Sequence, residues 1–308
     1  MPELPDVTVY VDRLAGLFTG QKLEGLRVAS PFVLRTYDPP TSEIVGRRLV
    51  RVSNLGKRLV LEFEGPRYVV IHLMVAGRLK LRAKGEAVPK KVGQFALDFE
   101  TATVLLTEVS KKKRASLHLF RSADEVKQLD RGGIDPLTCS LEEFRAALTK
   151  ENRTLKRAFT DPRLLSGIGN AYSDEIFFWA QSSPVTRTHG LKDDDFVRLF
   201  VATRHTLRAW TRLLAREVGE GFPEKVTAFR EEMAVHGRFG KPCRVCGTTI
   251  QRIRYADNET NYCPLCQTAG RVLADRSLSQ LLHKDFPRTL DDLEETPGIV
   301  GGASRRVL

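Results

Sequence analysis

The sequence predicts an α+β chain of several domains: an antiparallel β domain first, a helical domain second and a small cysteine-bound ribbon last. Three observations carry this reading. From about residue 22 to 120, short runs rich in Val, Leu and Ile are separated by turns. From Ser140 to about residue 217, apolar residues recur at helical spacing. Between Cys243 and Cys266, two C-x2-C pairs stand sixteen residues apart.

The elements follow in order. In residues 6–19, DVTVYVDRLAGLFT, the later apolar positions Leu14, Leu17 and Phe18 have helical spacing. The earlier Val7, Val9 and Val11 fit a strand equally well. Gly20 is a stop signal. The runs KLEGLRVA, RRLVRVSNLG, RLVLEFEG, RYVVIHLMV, QFALDFET and TVLLTEVS, with turns at EGP and GEAVPKK, read as an antiparallel sandwich or flattened barrel. Residues 122–138 hold a Gly pair and a Pro and read as a linker. Ser140 and Glu143 form the capping-box pattern ahead of a helix whose Leu141, Phe144 and Leu148 share a face. A long helix is expected over about 192–217, a core stripe, and a short one around Ser277–Leu282; the final GIVGGASRRVL reads as flexible. The expected divisions are 1–125, 126–240, 241–270 and 271–308.

Composition narrows the function. Hydrophobic residues make up 42% of the chain, enough for packed cores. Forty-nine Lys and Arg against 38 Asp and Glu give a net charge of +11, which suits a polyanionic partner but does not choose among DNA, RNA and a membrane surface. The start of the chain lacks the basic-then-apolar pattern of a signal peptide. The most apolar stretch, RYVVIHLMVAG, is too short to cross a bilayer. Five cysteines, four of them clustered and Cys139 alone, argue against a secreted disulfide scaffold. A cytoplasmic protein is expected, nucleoid-associated if bacterial.

The cluster CRVCGTTIQRIRYADNETNYCPLC offers Cys243, Cys246, Cys263 and Cys266 as four thiolates for one tetrahedral Zn²⁺. TTIQRIRY and NETNY read as strands with a turn at Ala256–Asn258, so knuckle, hairpin and knuckle make a zinc ribbon. With four cysteine ligands no open position remains, and the metal is structural. Arg244, Arg252 and Arg254 then sit on a rigid hairpin suited to phosphate. Further back, LLSGIGNAYSDEIFFWA places Gly167, Gly169 and Asn170 at a turn into a helix, where unsatisfied N–H groups attract anions. A plain helix–helix connection explains that turn as well. Lys156 adds charge if it folds back onto it.

The chain opens MPELPD, a poor start for a helix or strand, with Pro2, Glu3 and Asp6 in the first six positions. Taken together with SGIGNAYSDE and HGRFGKPCRVCG…YCPLCQ, in this order over roughly residues 1–270, MPELPD resembles the formamidopyrimidine-DNA glycosylase and endonuclease VIII family. The resemblance implies an N-terminal β-sandwich with an N-terminal helix, a helix-two-turn-helix DNA-binding domain and a zinc ribbon. It implies excision of damaged bases and nicking of the strand by lyase chemistry on double-stranded DNA, by a monomer. Pro2, freed by loss of Met1, would attack C1′ of the damaged nucleotide through its amine. Glu3 would move protons at the sugar. Lys57, in NLGKRLV, would contact phosphate and assist. Lys156 and Asn170 would hold the DNA backbone near the lesion.

The sequence also departs from that family. Asn258 stands where the family has an arginine in the ribbon turn. In HLMVAGRL, beside His72, Met74 or Val75 is the candidate wedge for the void left by a flipped base. The family's arginine and phenylalanine of the neighbouring loop give way to Lys111, Lys112, Lys113 and Arg114, either a solvated turn or a group that contacts phosphate or reads the opposite strand. The Gly- and Thr-rich segment that can cap a flipped base is replaced by GEGFPEKVTAFREEMAVHGR. Asp6 stands for a usual glutamate. These changes leave the bond-breaking groups in place and the preferred lesion open. The rival readings are a non-catalytic zinc-ribbon protein that binds distorted DNA and an RNA- or ribosome-associated ribbon protein.

Overall fold

The computed structural model describes residues 1–255, 258–273 and 286–295, and of residues 255, 258, 294 and 295 the backbone alone. The expected Ser277–Leu282 helix, the ribbon-turn residues Ala256 and Asp257, and the terminal GIVGGASRRVL lie outside the described residues. Two compact units emerge. The first comprises Met1–Gly133 with Arg208–Thr227, the second Ile134–Leu207 with Ala228–Leu308.

In the first unit α1 spans Leu4–Phe18, so the ambiguous valines are helical. Glu3 caps the helix and Pro5 lies in its first turn, where a missing N–H costs nothing. Val7, Tyr10, Leu14 and Phe18 form its buried stripe. Packing of that stripe overrides the weak strand preference of β-branched residues.

Eight strands follow: β1 Leu23–Val28, β2 Leu49–Leu55, β3 Arg58–Phe63, β4 Arg67–His72, β5 Gly77–Ala83, β6 Gly93–Phe99, β7 Ala102–Glu108 and β8 Ser116–Phe120. They form two antiparallel four-stranded sheets, ordered β1-β6-β7-β5 and β2-β3-β4-β8. One core joins both sheets and α1, with Leu59, Leu61, Val69, Ile71, Phe95, Leu97, Val104 and Leu117 among its members. The architecture is a sandwich. Phe18 stacks on Phe99 at 4.3 Å. β4 reads as an unbroken apolar run because both its faces are covered. Val69 and Ile71 face the main core, while Tyr68 and Val70 join Val60 and Val126 in a second cluster. Val126 belongs to α2, Ala123–Lys127, which Ser122 caps within the segment read as a linker.

The second unit holds α3 Leu141–Thr149, α4 Leu155–Thr160 and α5 Asn170–Trp179. The Ser140–Glu143 capping box is formed in both directions. Phe159 meets Phe144 and Phe177 edge-on. The long α6, Asp193–Val218, begins in this unit and ends in the first. The ribbon hairpin consists of β9 Gln251–Tyr255 and β10 Asn258–Tyr262, followed by α7 Pro264–Thr268. Part of the chain after Arg271 is ordered against it: Leu273 N–H donates to Tyr262 Oη at 2.7 Å, and Val272 N–H to the Arg288 carbonyl at 2.8 Å. No helix of the described residues is long and apolar enough to cross a membrane.

Candidate active site

In the first unit, α1 places Pro2 and Glu3 at its own N-terminus. The Glu3 N–H donates to Asp6 Oδ2 at 2.8 Å, and the two acids form a capping box. Pro2, Glu3 and Asp6 are all buried. Burial pushes the Asp6 carboxyl up to about 7, against the opposing effect of the Glu3 N–H. Met1 still precedes Pro2, so the free amine of this chain is that of Met1. Burial holds that amine below its ordinary value; Glu3 and Asp6 act to raise it, Arg78 and Lys57 to lower it. These four side chains are the charges gathered about the start of the chain. A desolvated amine keeps more of its lone pair unprotonated at neutral pH, which is what a nucleophile requires.

Lys57 is the second residue of the two-residue turn joining Leu55 to Arg58. Gly56 before it takes φ +57°, the left-handed conformation that lets so short a hairpin close. The next hairpin side brings His72 opposite Arg58, and His118 follows on the same face of β8. Burial and the cations Arg58 and Lys57 push the His72 imidazole down to about 4, and burial with the cations Arg58 and Arg35 lowers His118. His72 is therefore neutral near pH 7 and offers a hydrogen bond rather than a charge. Met74 stands just after β4 with φ +52°, a left-handed backbone rare for a residue with a side chain. Val75 beside it is exposed. Arg78 fastens this turn by donating to the Val75 and Gly77 carbonyls at 3.1 and 2.7 Å.

The run Lys111–Arg114 hangs on a buried acid. Glu108 accepts the N–H groups of Arg114 at 3.0 Å and Ala115 at 3.2 Å. Lys113 turns its ammonium back onto the Glu108 carbonyl. Lys111, Lys112 and Arg114 are exposed.

In the second unit, Lys156 folds back onto the turn before α5. Its Nζ donates to the Asn170 carbonyl at 2.8 Å, to Ser173 Oγ at 2.9 Å and to Asp174 Oδ1 at 2.5 Å. Asp174 is fully buried, and its other oxygen meets His236 Nδ1 at 2.8 Å and the Asn261 N–H at 3.1 Å. Glu175 accepts three consecutive backbone N–H groups, from Ala234, Val235 and His236, at 2.8 to 3.0 Å. Burial raises its pKa, and those three bonds oppose the rise. Asn170 donates through Nδ2 to the Glu259 carbonyl at 2.6 Å, tying the turn to the ribbon.

On the ribbon, Arg252 reaches Glu259 at 3.1 Å and lies 4.0 Å over the Phe239 ring. Arg254 is exposed, and Arg244 donates to the Glu231 carbonyl. The Asn258 side chain lies outside the described residues. The sulfurs of Cys243, Cys246, Cys263 and Cys266 all lie within 4.8 Å of one another. A tetrahedron of thiolates at about 2.3 Å from a zinc ion has edges of about 3.8 Å, so the four fit one Zn²⁺. The N–H groups of Val245 and Cys266 point at Cys243 and Cys263 sulfurs at 3.5 Å, the bonds that support thiolate ligands.

Sequence reasoning assigned no role to Arg78, Glu108, Asp174, Glu175 or His236. The signal for Asp174 and Glu175 was present, two acids opening the apolar run IFFWA, but apart from Lys156 their partners, Ala234–His236 and Asn261, are 59 to 87 residues away. Arg78, Glu108 and His236 carry no local signal.

Three family models match the chain. They are the formamidopyrimidine-DNA glycosylase N-terminal domain over residues 1–115, the H2TH domain of the same glycosylase over 133–215, and a zinc finger found in FPG and IleRS over 240–269. A formamidopyrimidine-DNA glycosylase of Heliobacterium modesticaldum is 32% identical over 287 residues, covering 87% of this chain and 100% of the relative. One from Listeria innocua is 29% identical over 274 residues, with coverage of 87% and 100%. Among solved structures, wild-type Lactococcus lactis Fpg with N7-benzyl-Fapy-dG DNA superposes with a TM-score of 0.77 at 25% identity, over 87% of this chain and 100% of the other. The same bacterium's Fpg with DNA containing an abasic site gives a TM-score of 0.77 at 24% identity, over 86% and 99%, and shares the fold.

Proposed function

Because the chain belongs to the formamidopyrimidine-DNA glycosylase family, it is a base-excision DNA glycosylase with AP-lyase activity, and we propose that Pro2, Glu3 and Lys57 carry its chemistry. The observation that supports this assignment is the desolvated amine at the chain start, with Glu3, Asp6, Arg78 and Lys57 about it. Loss of Met1 exposes the Pro2 nitrogen as a secondary amine at that position. Its lone pair attacks C1′ of the damaged nucleotide; the C1′–N bond breaks and the base leaves with a proton. Opening of the sugar then gives an iminium between Pro2 and C1′. The iminium acidifies the C2′ proton, whose removal expels the 3′-phosphate. Glu3, one peptide bond from the amine, is placed to carry protons in these steps. Asp6 orients Glu3 through the Glu3 N–H, and Lys57 offers a cation to a phosphate.

We further propose that Lys156 and Asn170 grip a phosphate at the α5 N-terminus. His72, Met74, Val75, Lys111–Arg114, Arg252, Arg254 and Asn258 complete the proposed DNA contacts, with Lys113 and Arg252 the most committed to partners within the protein. The catalytic work falls to residues 1–125, the duplex grip to 126–240 and the ribbon at 241–270, which holds one structural zinc; residues 271–308 are assigned no part. The protein meets its DNA in the cytoplasm.

Borohydride decides the assignment. Wild-type protein should form a covalent adduct with abasic duplex, and protein with a blocked, acetylated N-terminus should lose the adduct while still binding. A wild-type protein that binds the duplex and traps nothing would be the non-catalytic binder instead.

A further inference from the structure

Val75 is an apolar side chain with 59% of its surface open to solvent, on the turn between β4 and β5. One exposed valine is ordinary on a protein surface. The backbone that carries this one is tightly constrained. Met74 before it takes φ +52°. The Gly77 N–H closes the turn on the Leu73 carbonyl at 2.9 Å, and a Cβ at Gly77 would collide with that same carbonyl. Arg78 then binds the turn through Nη1, which donates to the Val75 and Gly77 carbonyls, while its Nε donates to the Val226 carbonyl. Val226 ends a strap, residues 220–226, which belongs to the same unit as the turn and is fastened along its length. Arg13 donates to the Glu220 and Gly221 carbonyls. Phe222 packs on Tyr10 with ring centroids 5.8 Å apart. Glu224 accepts the Leu81 N–H of the edge strand β5 at 3.1 Å and pairs with the Arg82 guanidinium at 2.7 Å. Val226 itself is buried in the main core. Arg78 is thus the joint between a fixed strap and the turn that presents Val75.

We propose that Arg78 is a positioning residue for base extrusion: it holds the Met74–Val75 turn against the strap, so that Val75 meets the duplex as a rigid wedge. The proposal rests on the glycosylase reading above and deepens it at the step before bond breaking. Drawing a base out of a duplex costs its stacking and pairing, and an apolar side chain entering the stack offsets part of that cost. A wedge on a loose turn would lose much of that gain to the entropy of ordering the turn at each encounter. A turn already tied to the strap does not. The gain is confined to an intact duplex, because a wedge has nothing to open where the stack around the damaged base is already open.

The test sets one oxidised base in two versions of the same sequence, a fully paired duplex and a duplex in which that base lies in a short mismatched bubble. Arg78→Met should lower kcat/KM for the paired duplex about tenfold relative to the bubble, by misplacing the wedge. The Arg78 charge also lowers the amine at the chain start, an effect that bears on both substrates alike and cancels in the ratio. Arg78→Lys should not restore the ratio, because an ammonium keeps the charge and lacks the fork. Glu224→Ala, which loosens the strap, should shift the ratio in the same direction, and Val75→Ala should add little to Arg78→Met. A ratio unchanged in Arg78→Met overturns the proposal, as does full recovery with Lys. A second measurement stands apart from turnover. A 2-aminopurine beside a stable abasic-site analogue in duplex should change fluorescence when saturated with wild-type protein, and change less with Arg78→Met; equal changes overturn the clamp. If the wild type excises the base from neither substrate, the glycosylase reading fails, and the fluorescence comparison alone upholds or sinks the role of Arg78.

Discussion

Asp6 offers a quantitative test of the buried start of α1. Its carboxyl is 4% exposed and its pKa is raised from 3.8 to about 7, chiefly by burial. The folded state therefore holds the Asp6 proton more tightly than the unfolded chain does. The stability this contributes is complete below about pH 4 and is lost as pH rises to about 7. The gap of about three pKa units corresponds to about 4 kcal/mol when ionisation is complete. Asp6→Asn keeps an oxygen to accept the Glu3 N–H at 2.8 Å and cannot ionise. Near pH 4 the two proteins should unfold alike. At pH 8 the variant should be the more stable, by up to about 4 kcal/mol. Trp210 lies in the same unit as Asp6, so urea unfolding followed by its fluorescence in a Trp179→Phe background reads the right part of the molecule. Taking the difference between the two proteins removes other buried acids, such as Glu175, from the comparison. Parallel loss of stability in both proteins between pH 4 and 8 would refute the burial argument, as would a variant less stable at pH 8.

Other outcomes follow from the same geometry. Glu3→Gln should slow base excision far more than Asp6→Asn, because Glu3 is proposed to move protons and Asp6 to orient it; equal losses in single-turnover rates would remove the distinction. Glu175→Gln should replace an acceptor by a donor facing buried N–H groups, costing about 1–3 kcal/mol and speeding hydrogen exchange at Ala234–His236. Unchanged protection there would mean that those amides find other partners. Chelation of zinc should unfold residues 240–269, whose small core includes the ligand cysteines, and weaken DNA binding, while Trp210 fluorescence in the first unit stays native. Lys156→Met should lower the slope of log affinity against log salt by about 0.9, one phosphate contact; an unchanged slope would leave Lys156 as a partner of Asp174 alone.

Local sequence determined a good deal of this protein. Two C-x2-C pairs at hairpin spacing bring four sulfurs together whatever the rest of the chain does, because the knuckles and the turn are local. The Ser140–Glu143 cap and the long α6 were legible for the same reason, since each needs only near neighbours. Tertiary structure decided the rest. The valines of α1 became helical only because sheets from two distant stretches cover one stripe of it. β4 needed α2 on its outer face before its unbroken apolar run made sense. Above all, Asp174 finds its partners in His236 and Asn261. A buried charge is tolerable only where partners meet it, and those partners come from segments that no spacing rule connects.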